Sequence, residues 1–121
     1  PGTTLYLSGS GAASVAVLFA GSRLQARVVA NASALKLAYA AWSKGSAALL
    51  LAIRDVARHF GVEDEGRLAA PELAGRLPQA ERSAAAKGWR WVGEMEEIGD
   101  TFAAAGQPDG FHRAAARVYR S

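Results

Sequence analysis

The chain has 121 residues, half of them hydrophobic and 21% charged, with a net charge of +3 and no cysteine. That length is one domain's worth, long enough to bury a core, and the missing thiols exclude a disulfide framework or a thiolate metal site. A mild positive balance with scattered arginines suits a small anionic substrate better than a nucleic acid.

Several bulk features set expectations about location. The N-terminus lacks the basic, apolar and cleavage regions of a signal peptide. The most apolar stretch, Gly45 to Ile53, lies between Lys44 and Arg54. It is shorter than the roughly 20 residues a membrane-spanning helix needs, so it reads as part of a buried helix. A cytoplasmic protein with no membrane association is expected.

Thr3 to Ser8 alternates Leu5 and Leu7 with smaller residues and reads as a strand. Gly9 to Gly11 is a turn. Ala12 to Ala20, with Val15, Leu18 and Phe19 at helical spacing, reads as a helix stopping at Gly21, and Gln25 to Ala30 as a second strand. A two-stranded sheet covered by one helix is marginal in water. This unit is therefore expected to be the edge of a larger sheet lying upstream, and the chain to be cut. The absence of an initiator methionine before Pro1 agrees with that expectation.

Ala32 to Phe60 contains no proline and only Gly45 as a breaker, so one long helix is expected, with Asn31 or Ser33 as its cap and Gly61 just past its end. Its middle is apolar nearly all round, as in a helix buried on most sides. Pro71 and Pro78 each suit a first helical position, giving a short helix near Glu72 to Leu77 and a new start at Gln79. The second long helix then runs to about Ala105, with Gly88 a weak point and a stripe of Trp91, Met95, Ile98, Phe102 and Ala105. Gly106 and Pro108 end it. A last helix over Gly110 to Tyr119 is expected to bury Phe111, Ala115 and Val118. Trp42, Trp89 and Trp91 are expected in core or interface positions.

Few residues offer chemistry. Gly9-Ser-Gly-Ala-Ala-Ser14 follows a strand and opens a helix, as a dinucleotide-binding turn does. It has Ser14 in place of the third glycine and no acidic residue about 20 positions on, so it reads as an ordinary turn. Lys36 sits one turn into the long helix and shares a face, within about 60 degrees, with Ala40, Ser43 and Ala47. Small neighbours leave room for a ligand, and burial of an amine favours the neutral form that a general acid/base needs. The competing reading is a snorkelling lysine with its head in water. Arg90 and Glu94 are spaced as a surface ion pair. His59 and His112 lie far apart, which argues against a metal site.

Two stretches carry a family likeness. The segment TTLYLSG…LFAGSRLQARVVANASALKLAYAAW, from Thr3 to Trp42, resembles the junction between domains in the beta-hydroxyacid dehydrogenase superfamily. From Lys36 onward, KLAYAAWSKGSAALL, GEMEEI and DGFHRAAA resemble the C-terminal domain of phosphogluconate-dehydrogenase-like NAD-binding oxidoreductases. The resemblance implies a mostly helical fold: residues 1–31 would be the last strand–helix–strand of a Rossmann domain, and 32–121 a helical substrate and dimerisation domain like that of 6-phosphogluconate dehydrogenase.

It also implies a role for Lys36, as the lysine that handles the hydroxyl or carbonyl proton while hydride moves to or from nicotinamide. NAD or NADP would be the cofactor of the whole protein, held by a Rossmann domain rather than by this part. Where the wider superfamily has an asparagine four residues after the lysine, this chain has Ala40. Tyr39 or Ser43 could supply a replacement hydrogen bond, and Ser33 is a further substrate-binding candidate. A second charged residue facing the substrate is implied on the later helix, where Glu94, Glu96 and Glu97 are the available carboxylates. His112 and Arg113 match the histidine and arginine that a C-terminal segment sends toward a small anionic substrate. A homodimer through the helical part is implied, and the stripe on residues 79–105 would support it. The alternative is a helical dimerisation or scaffold module without catalysis. A DNA-binding reading lacks a helix–turn–helix with a basic recognition face.

Overall fold

The computed structural model describes residues 4–17, 25–28 and 30–121. It is mostly helical, and the chain separates into two compact units, Pro1–Tyr39 and Ala40–Ser121. The division falls inside the first long helix, downstream of the 31/32 boundary expected from sequence.

The first unit is a strand–helix–strand. Strand β1 (Thr4–Leu7) pairs in parallel with β2 (Gln25–Val28), Thr4 opposite Gln25 and Leu7 opposite Val28. Helix α1 (Ala12–Val17) connects them, and a positive φ of 99° at Gly9 makes the turn into it. The parallel pairing follows from the helical crossover, since a tight hairpin can join only antiparallel strands. Along β1 exposure alternates, Leu5 and Leu7 being half-buried and Thr4 and Tyr6 exposed, as the period of two requires. The expected positions of Leu18, Phe19 and Gly21 lie outside the described residues.

Helix α2 (Ala32–His59) starts and stops where its terminal chemistry directs. The Asn31 Oδ1 accepts from the Ala34 amide at 2.9 Å, the N-cap bond that satisfies a free helix donor. Ser8 Oγ accepts from the Ala32 amide at 2.9 Å. At the other end Gly61 has φ of 69°, its amide donates to the Arg58 carbonyl, and the Val62 amide donates to the Ala57 carbonyl at 2.9 Å. That paired closure uses a left-handed residue, which glycine enters without steric cost.

In the second unit a 3-10 turn (Gly66–Ala69) and a short helix α3 (Pro71–Ala74) lead into α4 (Leu77–Ala104), and α5 (Gly110–Arg120) follows. The two prolines stand at helix starts, as expected. Gly88 does not interrupt α4. Met95 and Ile98 are fully buried, and the Trp91–Phe102 stripe is taken up by packing against α5 rather than left open for a partner.

Three glycines let α5 approach its neighbours. A Cβ on Gly45 of α2 would lie 2.7 Å from His112 Nε2. One on Gly99 of α4 would lie 3.2 Å from Arg113 Cγ, and one on Gly88 would touch Tyr119 at 3.5 Å. Gly45 and Gly88, a breaker and a weak point by sequence, are therefore seats for α5 side chains, as is Gly99. The buried positions of α5 are His112, Ala115, Ala116 and Tyr119, the i, i+3, i+4, i+7 set of one helix face. Ala115 is buried as expected and Val118 half-buried, but Phe111 is not. Phe111 is 70% exposed, because the inward direction at the start of α5 belongs to the histidine next to it.

A second correction concerns α2. Its buried residues are Ala40, Ala41, Ala48, Leu51 and Ala57, a single face lined mainly by alanine. Trp42, Leu49 and Val56 stand exposed on the other side, so α2 is not surrounded by this chain.

Candidate functional site

The surroundings of Lys36 are built by the first unit alone. Residues Ala32, Leu35, Lys36 and Tyr39 follow the i, i+3, i+4, i+7 spacing and present one helix face. With Ser33 and Tyr6 they line a cleft of about 500 Å³. Among the described residues lining it, the Lys36 ammonium is the one charged group; Tyr6, Ser33 and Tyr39 supply hydroxyls. A cleft of that size suits a small ligand, and a lone cation beside hydroxyl groups suits an oxyanion such as a carboxylate.

Two expectations therefore meet in one place, since Lys36, Ser33 and Tyr39 share the cleft. Tyr6 was not foreseen. The signal was present in the alternation of β1, which turns Leu5 and Leu7 to one face and Tyr6 to the other. The expected burial of Lys36 is not met within this chain: its side chain is exposed and so is Tyr39. Ala40, at the position of the absent asparagine, is buried.

The remaining candidates belong to the second unit and have other partners there. Ser43 lines a hollow with Lys44 and Trp91. Glu94 receives both of its hydrogen bonds from Lys44 Nζ, at 2.8 and 2.7 Å, and that ammonium lies 5.1 Å over the Trp91 ring. Glu94 thus ties α4 to α2 instead of pairing with Arg90, which stacks over Trp89. Glu97 is exposed, its backbone carbonyl accepting from Thr101.

His112 is buried and packs at 4.7 Å against the Phe102 ring. Its Nε2 lies 3.0 Å from the Ala41 carbonyl. A carbonyl only accepts, so Nε2 carries the proton and Nδ1 is left as a buried acceptor without a partner. This histidine fastens α5 to α2. Arg113 is held by three carboxylates: Glu96 at 3.0 Å, Asp100 at 2.7 Å and Asp109 at 2.7 Å. Hydrogen bonds from Asp100, Asp109 and Glu96 raise its pKa above the usual value, and Arg113 in turn holds the Asp109 carboxyl below its usual range. Three of the five guanidinium N–H donors are engaged in these bonds.

The Tyr119 hydroxyl donates to the Lys44 carbonyl. Burial, with a smaller contribution from the Glu94 charge, pushes its pKa up to about 12.

The glycine turn between β1 and α1 runs from Gly9 to Gly11, with a φ of 99° at Gly9. A Cβ at Gly9 or Gly11 would meet nothing within 4 Å, so neither glycine is held there by a close approach.

The family model described as "Domain of unknown function (DUF1932)" matches residues 57–121, from the end of α2 to the C-terminus. No curated protein and no solved structure matches the chain.

Proposed function

We propose that this chain, which belongs to the DUF1932 family through residues 57–121, is the substrate-binding and dimerisation part of an NAD(P)-dependent dehydrogenase related to phosphogluconate dehydrogenase, acting on a small hydroxy acid. The observation that carries this reading is the cleft in which Lys36 is the one cation among the hydroxyls of Tyr6, Ser33 and Tyr39.

In this reading the Lys36 ammonium draws the substrate's carboxylate or carbonyl oxygen into the cleft, and Ser33 and Tyr39 donate hydrogen bonds that orient it. Lys36 then transfers a proton to the carbonyl oxygen, or as the free amine takes one from the hydroxyl, which is the work of a general acid/base. Closure of the cleft by a further domain would exclude water and give the amine the burial this chain alone does not provide. The nicotinamide, when bound to that domain, supplies the redox chemistry.

The test is Lys36→Met in the full dehydrogenase. Turnover is expected to fall at least about a hundredfold, the ordinary weight of a general acid/base, with nicotinamide affinity unchanged. A loss under threefold removes Lys36 from the mechanism. The exposure of Lys36 favours one other reading, a helical dimerisation or scaffold module without catalysis. In that case nicotinamide binds the whole protein and Lys36→Ala changes nothing.

A further inference from the structure

The walls of the Lys36 cleft are sorted by polarity across one face of α2. At about 100 degrees per residue, Leu35, Tyr39, Ala32, Lys36 and Ser33 follow one another around the helix in that order and span about 160 degrees. Leu35 and Tyr39 therefore make an apolar edge and Lys36 and Ser33 a polar one, with the small Ala32 between them. Tyr6 brings a second phenol ring from β1. The large side chains are not packed away: Tyr6 is 44% exposed, Leu35 40% and Tyr39 69%. Most of the wall is carbon, and among the described residues lining it Lys36 is the one cation.

Resting on the reading of this cleft as the substrate site, we propose that the acid it takes is a monoanion carrying an aryl or comparably large apolar group. Its carboxylate lies at Lys36 and Ser33, and its apolar end lies against Leu35 and the rings of Tyr39 and Tyr6. Leu35, which has no polar atom in its side chain, is then the residue that sets specificity.

The chemistry of the two edges favours this class over a phosphorylated or polyhydroxylated acid. One ammonium balances one carboxylate. A phosphate further along the ligand would bring its charge against leucine and phenol carbon, where lost hydration is not replaced. A chain of hydroxyls meets the same difficulty, because each one turned toward Leu35 gives up a hydrogen bond to water and gains none. A ring instead displaces water from the open faces of Leu35 and Tyr39, and it can pack offset or edge-on against the phenols. A short alkyl acid would occupy the polar edge and leave the apolar one wet. The cleft of about 500 Å³ lies within the range of small-molecule sites.

The experiment is titration calorimetry of the whole protein, free of nicotinamide, with 3-phenylpropanoate, propanoate and gluconate 6-phosphate. The first should bind at least about tenfold more tightly than either of the others, the low end of what apolar pocket contacts discriminate. Leu35→Ala and Tyr39→Ala, both at exposed positions, should each narrow its preference over propanoate by at least about threefold, and either one keeps the test valid if the other fails to fold. Lys36→Met should weaken 3-phenylpropanoate by at least about tenfold, through loss of the charge-assisted bond. Equal or tighter binding of propanoate or gluconate 6-phosphate overturns the proposal, and so does a failure of all three to bind. A preference that survives both alanine variants, or binding that survives Lys36→Met, overturns it as well, since the ligand would then sit elsewhere. The turnover assay separates this from the acid/base role. If 3-phenylpropanoate is preferred while Lys36→Met keeps turnover within about threefold, the ligand class stands and the role falls. If gluconate 6-phosphate is preferred while turnover collapses, the role stands and the ligand class falls.

Discussion

Replacing Gly45 by alanine tests the packing that organises the second unit. The new methyl would sit 2.7 Å from His112 Nε2, a distance that real Cβ contacts do not reach, so the ring must move. Moving it is costly because His112 is buried, packs on Phe102 and donates to the Ala41 carbonyl. Losing that bond inside the core costs about 1–3 kcal/mol, and forcing a methyl into a filled space costs a further ~1–3 kcal/mol. Alanine returns about 1 kcal/mol through its better helix propensity. The balance is a loss of about 1–5 kcal/mol, which at about 4 °C per kcal/mol for a chain of this length lowers the melting temperature by about 4–20 °C. Thermal and urea unfolding followed by circular dichroism measure it. In a His112→Ala background the same Gly45→Ala change should become stabilising, because the obstructing ring is gone and only the propensity gain remains. A Gly45→Ala protein that melts at or above the wild-type temperature would refute the reasoning.

Three other outcomes follow from the same structure. Gly93→Ala, where a Cβ meets nothing within 4 Å, should stabilise α4 by about 0.5–1 kcal/mol, seen as a rise in melting temperature. Of the three tyrosines, Tyr119 should form its phenolate only toward pH 12, and the late absorbance change near 295 nm should vanish in Tyr119→Phe. Since its folded pKa is raised above the ordinary 10, the stability it contributes is complete below pH 10 and is lost as the pH rises through about 12. Glu94→Gln should leave the Lys44 ammonium with a weaker partner over Trp91, cost about 1 kcal/mol in a half-buried setting, and shift Trp91 fluorescence.

The ends of the helices were legible before any coordinates. Asn31 as cap, Gly61 and Gly106 past the helix ends, and Pro71 and Pro78 at helix starts are local signals, each fixed by the chemistry of a few neighbouring residues. The strand–helix–strand order was legible for the same reason. The cleft beside Lys36 was legible in part: Ser33, Lys36 and Tyr39 lie on one helix, so their spacing alone brings them together, while Tyr6 arrives from a strand. Faces were harder. Phe111 reads as core by its hydrophobicity, and His112 reads as a polar surface residue. Their exchange depends on Gly45, 67 positions away, being small enough to admit an imidazole.

What the sequence by itself determined, then, is where each helix begins and ends, because capping and turn chemistry act over a handful of residues. Only the tertiary structure decided which side of each helix is inside. It made Gly45 and Gly88, a breaker and a weak point by sequence, into seats for α5 beside Gly99, engaged Glu94 and Arg113 in holding helices together, and left the apolar ridge of α2 facing outward. In an alanine-rich chain this is unavoidable: small side chains mark no face strongly, so burial is settled by which long-range partners fit.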